Sequence, residues 1–485
     1  MYKYNLYLIS VILLWGCHGK SASSQNSATQ STVDTIQHKQ ATNVKPLDKG
    51  IVIDTVICTD NPGQRYAIYL PSNYNSAKKW PIIYFFDPHG AGNLPLNLYK
   101  SLAEKYGFII AGTYGSKNGM QWEESDKAAH AFMQDTWQRL SIDNNRIYTY
   151  GFSGGARVAC SVALTDGGVA GVAACGGGFP QRHPQITQQF SCISFVGERD
   201  FNYIELKQLD KELDDSPLTH QLIIFHGKHQ WPPVVSAEEA FQWFDLEAMR
   251  LKTMPKNDSL INAVQKELVK EVDGWREKKN EVKQYFALKK MLNFLRGLTE
   301  TGKYSAELQT LQNSATVITY LKNEQTDEMQ EAKVQQDFIQ DLSSKDEAWW
   351  RNTVKQMHVV ISADSTSPVA LQTQRMLSFL SLATYMGASQ AFRSQDDGSA
   401  SKFLNLYELV DPTNPEHNYL FACMYAREQN NAKAMSNLQG AVNLGFSDAG
   451  RMENDSNFVV LKKQPEFAEL VKKIKAMPKK IDVTQ

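Results

Sequence analysis

From about Ile51 to Trp243 the chain alternates short runs of β-branched and aromatic residues with longer helix-patterned stretches. That alternation is the signature of βαβ units around a largely parallel sheet. The predicted strands are Ile51–Cys58, Arg65–Leu70, Ile82–Phe86, Phe108–Thr113, Arg146–Gly151, Val169–Ala174, Cys192–Val196 and Leu222–Phe225. Eight such strands fit one doubly wound, mostly parallel sheet, so residues 49–250 read as an α/β domain. Beyond Phe244 the strand-like runs stop, and Glu, Lys, Gln and Leu at helical spacing continue. Residues 251–485 are therefore predicted to form an all-α domain.

Part of that helical region repeats. Ala388, Ala400, Leu404 and Tyr407 are followed 34 residues later by Ala422, Ala434, Leu438 and Ala441, the repeat length of tetratricopeptide helix pairs. Small residues at such positions let two helices cross closely. Asp411-Pro412 closes the first unit. The resemblance to tetratricopeptide repeats spans about 381–448, with Glu466–Met477 as a capping helix. No clear period is found over 255–375. Helical solenoids commonly bind peptides or partner proteins, which is one expectation for this domain; packing against the α/β domain is the other.

The N-terminus follows a third pattern. Lys3 precedes an apolar run from Leu6 to Trp15, broken only by Ser10, and then Gly16-Cys17. The run is too short for a permanent membrane helix but suits a signal peptide over residues 1–16. Leu14-Trp15-Gly16-Cys17 resembles a bacterial lipobox, although Trp15 is larger than that slot usually holds. The resemblance implies lipidation of Cys17 and an exported envelope lipoprotein, periplasmic or at the outer membrane, held to the membrane by the lipid alone. The Ser/Thr/Gln/Asn/Ala-rich stretch that follows, to residue 48, reads as a flexible linker.

Composition narrows the partners. Across 485 residues, 51 basic against 52 acidic side chains leave a net charge of −1. No global attraction to nucleic acid follows. The 42% hydrophobic and 21% charged content is that of a globular protein. Six cysteines without a Cys-x-x-Cys pair favour neither a disulfide scaffold nor a zinc site. No His-Glu-x-x-His motif and no nucleotide-binding glycine fingerprint are present, so neither a metal nor a cofactor is expected.

The candidate chemistry lies in the α/β domain. Gly151-Phe152-Ser153-Gly154-Gly155 stands directly after a predicted strand and before a helical stretch, the context of a nucleophile elbow. A serine hydroxyl needs a neighbouring base, and that base an orienting carboxylate, in the chain order Ser, acid, His. Asp200, in the polar turn after the strand ending near Val196, is the first candidate acid, with Glu198 the fallback; Asp210, Asp214 and Asp215 read as a solvated charged face. Two histidines follow the last strand. His229 is preferred over His226 as base, because it lies three residues further into the loop and can swing back over the serine. The oxyanion requires backbone donors: the N–H of Gly154, and either Gly90 or Ala91 in the turn Phe86-Asp87-Pro88-His89-Gly90-Ala91. His89 is assigned to bracing that turn.

These residues together resemble the α/β-hydrolase superfamily over about 200 residues. Within it, His89-Gly90, Gly-x-Ser-x-Gly and His229-Gln230-Trp231-Pro232 look like the esterases grouped with polyhydroxybutyrate depolymerases, feruloyl esterases and acetylxylan esterases. The resemblance implies Ser153 as nucleophile, Asp200 as acid and His229 as base. The chain departs from that group at Asp87-Pro88, where an apolar residue more often precedes His-Gly. The short segment 176–191 leaves no room for a large lid, so an open site is expected, rimmed by Trp122 and Trp231. The function expected is a serine carboxylesterase acting on small acyl, aryl or sugar esters. A serine peptidase of the prolyl-oligopeptidase kind and a non-catalytic envelope scaffold are the alternatives.

Overall fold

The computed structural model describes residues 46–180 and 186–477. The expected signal segment, most of the linker and Cys17 lie outside the described residues. The chain divides into two compact units: one runs to Gly197 and resumes over Asn202–Glu328, and the other joins Glu198–Phe201 to Met329–Val483. The helices expected from residue 251 onward are thus shared between them.

The first unit is built on one eight-stranded sheet: β1 (Val52–Ile57), β2 (Arg65–Tyr69), β3 (Trp80–Phe86), β4 (Ile109–Thr113), β5 (Ile142–Phe152), β6 (Val169–Cys175), β7 (Ser191–Gly197) and β8 (Thr219–Phe225). The order across the sheet is β1-β2-β4-β3-β5-β6-β7-β8. β1 and β2 are antiparallel to their neighbours, and every pairing from β4 through β8 is parallel. Each predicted run forms a strand. The boundaries differ most at β5 and β8, where polar residues at the strand starts are held by backbone pairing, Ile142 against Trp80 and Thr219 against Ser191. Pairing of that kind leaves no hydrophobic signature.

β3, β4 and β7 are buried at every position, as parallel strands covered on both faces must be. Alternate side chains serve opposite faces. Ile82, Tyr84 and Phe86 enter the core beneath α2 (Trp122–Arg139), α3 (Gly154–Thr165) and α4 (Tyr203–Leu213). On the other face, Phe85 packs on Tyr99 of α1 (Asn93–Tyr106), and Tyr148 stacks on Phe244 of α5 (Val234–Arg250), with centroids 4.2 Å apart. α6 (Asp258–Glu277), α7 (Glu281–Leu295), α8 (Gly302–Gln312) and the start of α9 (Ala315–Ser344) complete the unit.

Among the described residues, the regular structure of the second unit is all helical. It contains the rest of α9, then α10 (Glu347–Ala363), α11 (Pro368–Ser394), α12 (Asp397–Val410), α13 (Pro415–Arg427), α14 (Asn431–Asn443), α15 (Ala449–Asn454) and α16 (Pro465–Ala476). The 34-residue spacing has a structural counterpart. α11 with α12 and α13 with α14 form two helical hairpins, and all eight repeat positions, from Ala388 to Ala441, are buried. The turns repeat as well: Gln395 and Gln429 are left-handed at φ 58° and 59°. The next residues, Asp396 and Asn430, cap α12 and α14 by accepting from Ser399 N and Lys433 N. Lys279 and Asn280 make the same turn between α6 and α7. Among the described residues no helix is long and apolar enough to cross a membrane.

Ala434 shows no solvent exposure, whereas Ala432, two residues earlier, is exposed. Ala434→Leu therefore overpacks the hairpin and should cost about 1–3 kcal/mol, while Ala432→Leu should stay within about 0.5 kcal/mol. Urea denaturation of the two variants distinguishes them; equal midpoints would show that the small-residue position is not tightly packed.

Candidate active site

β5 ends at Phe152 and α3 begins at Gly154, leaving Ser153 alone to turn the chain. Its backbone adopts φ 53°, ψ −121°, a conformation that costs a non-glycine residue about 1–3 kcal/mol. Close packing makes this the conformation available. A Cβ on Gly151 would stand 2.1 Å from Gly155 O, and one on Gly155 would stand 2.1 Å from Phe86 O. Both distances are prohibitive, so glycine is required on either side of the serine. The loop after β6 seals the turn: Ser153 N donates to Cys175 O at 2.7 Å, and a Cβ on Gly177 would meet Ser153 O at 2.7 Å.

His229 reaches the serine from the loop after β8. Its Nε2 lies 2.9 Å from Ser153 Oγ, within range for the hydroxyl to donate to the imidazole. The ring is 5% exposed and rests against Phe152, with centroids 4.7 Å apart. His226, directly after β8, is exposed. Asp200 stands in the turn after β7 with no solvent exposure, whereas the Glu198 side chain is 26% exposed and lies 3.7 Å from Arg199.

The turn after β3 is organised by Asp87. Its Oδ1 accepts from His89 N and Ala91 N, its carbonyl accepts from Gly90 N at 3.0 Å, and its Oδ2 accepts from Trp231 Nε1 at 3.0 Å. Two expectations change here. The N–H groups of Gly90 and Ala91, expected to face an oxyanion, are instead directed to Asp87 and hold the turn together. Trp231, expected at the substrate rim, is 1% exposed. It packs on Phe85, Tyr99, Tyr150 and Phe152, because its indole N–H finds an acceptor inside the core. The side chain of His89, by contrast, is 49% exposed and 3.7 Å from Asp87 Oδ1.

Gly154 is the first residue of α3, so its N–H has no intrahelical acceptor. Against it lies a residue that sequence reading missed. The Asn118 amide sits so close that a Cβ on Gly154 would fall 1.8 Å from its Oδ1 and 3.3 Å from its Nδ2. Asn118 is exposed, and its own N–H is tied to Pro88 O at 2.8 Å. A lone Asn in a loop of mixed polar residues carries no pattern that would have singled it out. Trp122 is 43% exposed at the start of α2.

Among the described residues no group of three or more His, Cys, Asp or Glu could hold a metal ion. No disulfide joins the described cysteines, all of which are buried. Burial pushes the Cys58 thiol up to about 11 and the Cys192 thiol up to about 12, so neither is a nucleophile near neutral pH.

The fold is a mostly parallel α/β sheet with a large all-helical region after it. No family model matches the sequence, and no curated protein matches it. Solved structures are similar to part of it. S-formylglutathione hydrolase from Staphylococcus aureus is 14% identical, covering 42% of this chain and 99% of its own, with a TM-score of 0.34. Inhibited esterase B from Lactobacillus rhamnosis is 14% identical, covering 42% and 90%, with a TM-score of 0.36. The feruloyl esterase module from Clostridium thermocellum, complexed with sinapinate, is 14% identical, covering 44% and 94%, with a TM-score of 0.34.

Trp231→Phe keeps an aromatic ring in the core and removes only the donor to Asp87 Oδ2. Leaving that buried acceptor short of a partner should cost about 1–3 kcal/mol, seen as a lower Tm. An unchanged Tm would mean that the indole bond does not hold the two loops.

Proposed function

We propose that the protein is a serine esterase. The observation that carries this reading is the 2.9 Å contact between Ser153 Oγ and His229 Nε2, made by a serine held in a left-handed elbow. In the proposed reaction, Ser153 Oγ attacks the acyl carbonyl carbon while His229 Nε2 takes the hydroxyl proton. The tetrahedral oxyanion collapses, the bond to the leaving alcohol breaks, and His229 returns the proton to that alcohol. Water then attacks the acyl-serine ester with His229 again as base, releasing the acid and restoring Ser153. Asp200 is assigned the third role, accepting from the other imidazole nitrogen and stabilising the imidazolium. Its complete burial in the turn after β7 supports that role over the partly exposed Glu198.

One oxyanion donor is the N–H of Gly154. With Gly90 and Ala91 turned to Asp87, the second assigned donor is the side-chain amide of Asn118, which lies against Gly154. Substrates are small acyl esters, consistent with the short segment 176–190 between β6 and β7. Hydrolysis of a short-chain nitrophenyl ester should fall at least about a thousandfold in Ser153→Ala and about 10–1000-fold in kcat in Asn118→Ala. Equal rates from wild type and Ser153→Ala would overturn the esterase assignment, and an unchanged Asn118→Ala would remove that residue from the oxyanion site.

We also propose that Cys17 is acylated and tethers the enzyme to the cell envelope, on the strength of Leu14-Trp15-Gly16-Cys17 after an apolar run. Mass spectrometry of the mature protein should show a chain beginning at Cys17 with added acyl mass. An unmodified residue there would refute the anchor.

A further inference from the structure

The turn bearing Asp200 does not group with the sheet whose strand it leaves. Glu198–Phe201 falls in the helical unit, while Gly197 and Asn202 on either side fall in the other. Within that unit the turn makes specific side-chain contacts. Arg375 of α11 is 8% exposed and donates through Nε and Nη2 to the two carboxylate oxygens of Glu331 on α9, at 2.7 and 2.6 Å. Its remaining nitrogen, Nη1, donates to Glu198 O at 2.9 Å. Gln335, one helical turn beyond Glu331 and 2% exposed, donates through Nε2 to Phe201 O at 3.3 Å. Ser378, next to Arg375 on the face of α11, has its Oγ 3.5 Å from Arg199 O.

The carbonyls on both sides of Asp200 are therefore held by side chains of the helical unit. The Arg375–Glu331 pair is bidentate and buried, so the guanidinium is fixed in plane and its third direction is aimed. A buried ion pair is a costly way to gain stability, and an apolar pair of similar volume often serves better. It can nevertheless place a backbone group to a fraction of an ångström, as an apolar contact cannot. A carboxylate that orients a catalytic imidazole needs that placement, because a displacement of about 1 Å can cost about a hundredfold in rate.

We propose that Arg375, braced by Glu331 and assisted by Gln335, is a positioning residue for Asp200, the carboxylate assigned as the acid. The inference rests on the esterase reading with Asp200 as the acid. It does not place Arg375 in contact with substrate. Its signature is therefore a loss in kcat with KM preserved, together with partial recovery when a cation is kept.

The test uses the full-length protein, with a short-chain nitrophenyl ester for turnover and a fluorophosphonate probe for Ser153. Arg375→Met, Arg375→Lys and Gln335→Ala are compared with wild type, and thermal melts establish folding. Gln335→Ala leaves the ion pair intact and decides the matter if Arg375→Met does not fold. The expected result is a kcat lowered about 10–100-fold in Arg375→Met and less in Gln335→Ala, with KM within about twofold and labelling slowed in parallel. Arg375→Lys should recover part of the loss. Wild type that labels at Ser153 and turns over, alongside a folded Gln335→Ala with wild-type kcat and labelling rate, overturns the inference and leaves the esterase reading standing. Wild type that neither labels nor turns over overturns that reading, and the inference with it.

Discussion

The conformation of one residue constrains everything around it. Ser153 stands at φ 53°, and this is possible only where β5, α3 and the turn after β3 come together without side chains between them. Gly151 packs on Gly155 and Gly155 on Phe86 O, with a methyl group excluded at each. The strain is modest beside the burial of the parallel strands that enforce it, since each large apolar side chain removed from water contributes about 1.5–3 kcal/mol. Phe85, Phe86, Tyr148 and Tyr150, all essentially unexposed, anchor β3 and β5 on the two faces of the sheet. The elbow is thus a consequence of the sheet, and the placement of the half-buried hydroxyl a consequence of the elbow.

The loops that meet the serine are tied to one another through the core. Trp231 stands two residues beyond His229, and its indole donates to Asp87, which gathers the turn after β3 around its own carboxylate. Tyr99 adds a bond from its hydroxyl to Pro232 O. The loop carrying His229 and the turn after β3 therefore share an anchor in an aromatic cluster. Such an anchor fixes a geometry better than a surface contact would, because a buried donor and acceptor lose heavily when parted.

Which parts were legible from sequence follows from this. The strands were, because parallel strands covered on both faces carry unbroken apolar runs. The polar beginnings of β5 and β8 were not, because backbone pairing alone holds them. Ser153 and its glycines were legible because their spacing is a steric requirement. Trp231 and the N–H groups of Gly90 and Ala91 were misplaced for one shared reason: sequence shows that a polar atom exists, but not which partner claims it, and Asp87 claims all three. Asn118 left no trace, since its position depends on how a loop folds back over Gly154. The 34-residue spacing was legible in its small residues, yet the left-handed Gln395 and Gln429 that shape the turns have no glycine to mark them.

The placement of a boundary also bears on how such a protein works. By contacts, the helices to Glu328 belong with the sheet, and four residues of the turn after β7 belong with the helices that follow. Within the first of these groups, Lys207 and Lys211 of α4 are bound to Glu324 and Glu328 of α9. Charged groups make these contacts although buried charges add little net stability. That choice is intelligible where register matters more than stability, since an ion pair or a carbonyl bond accepts one geometry and an apolar contact accepts many.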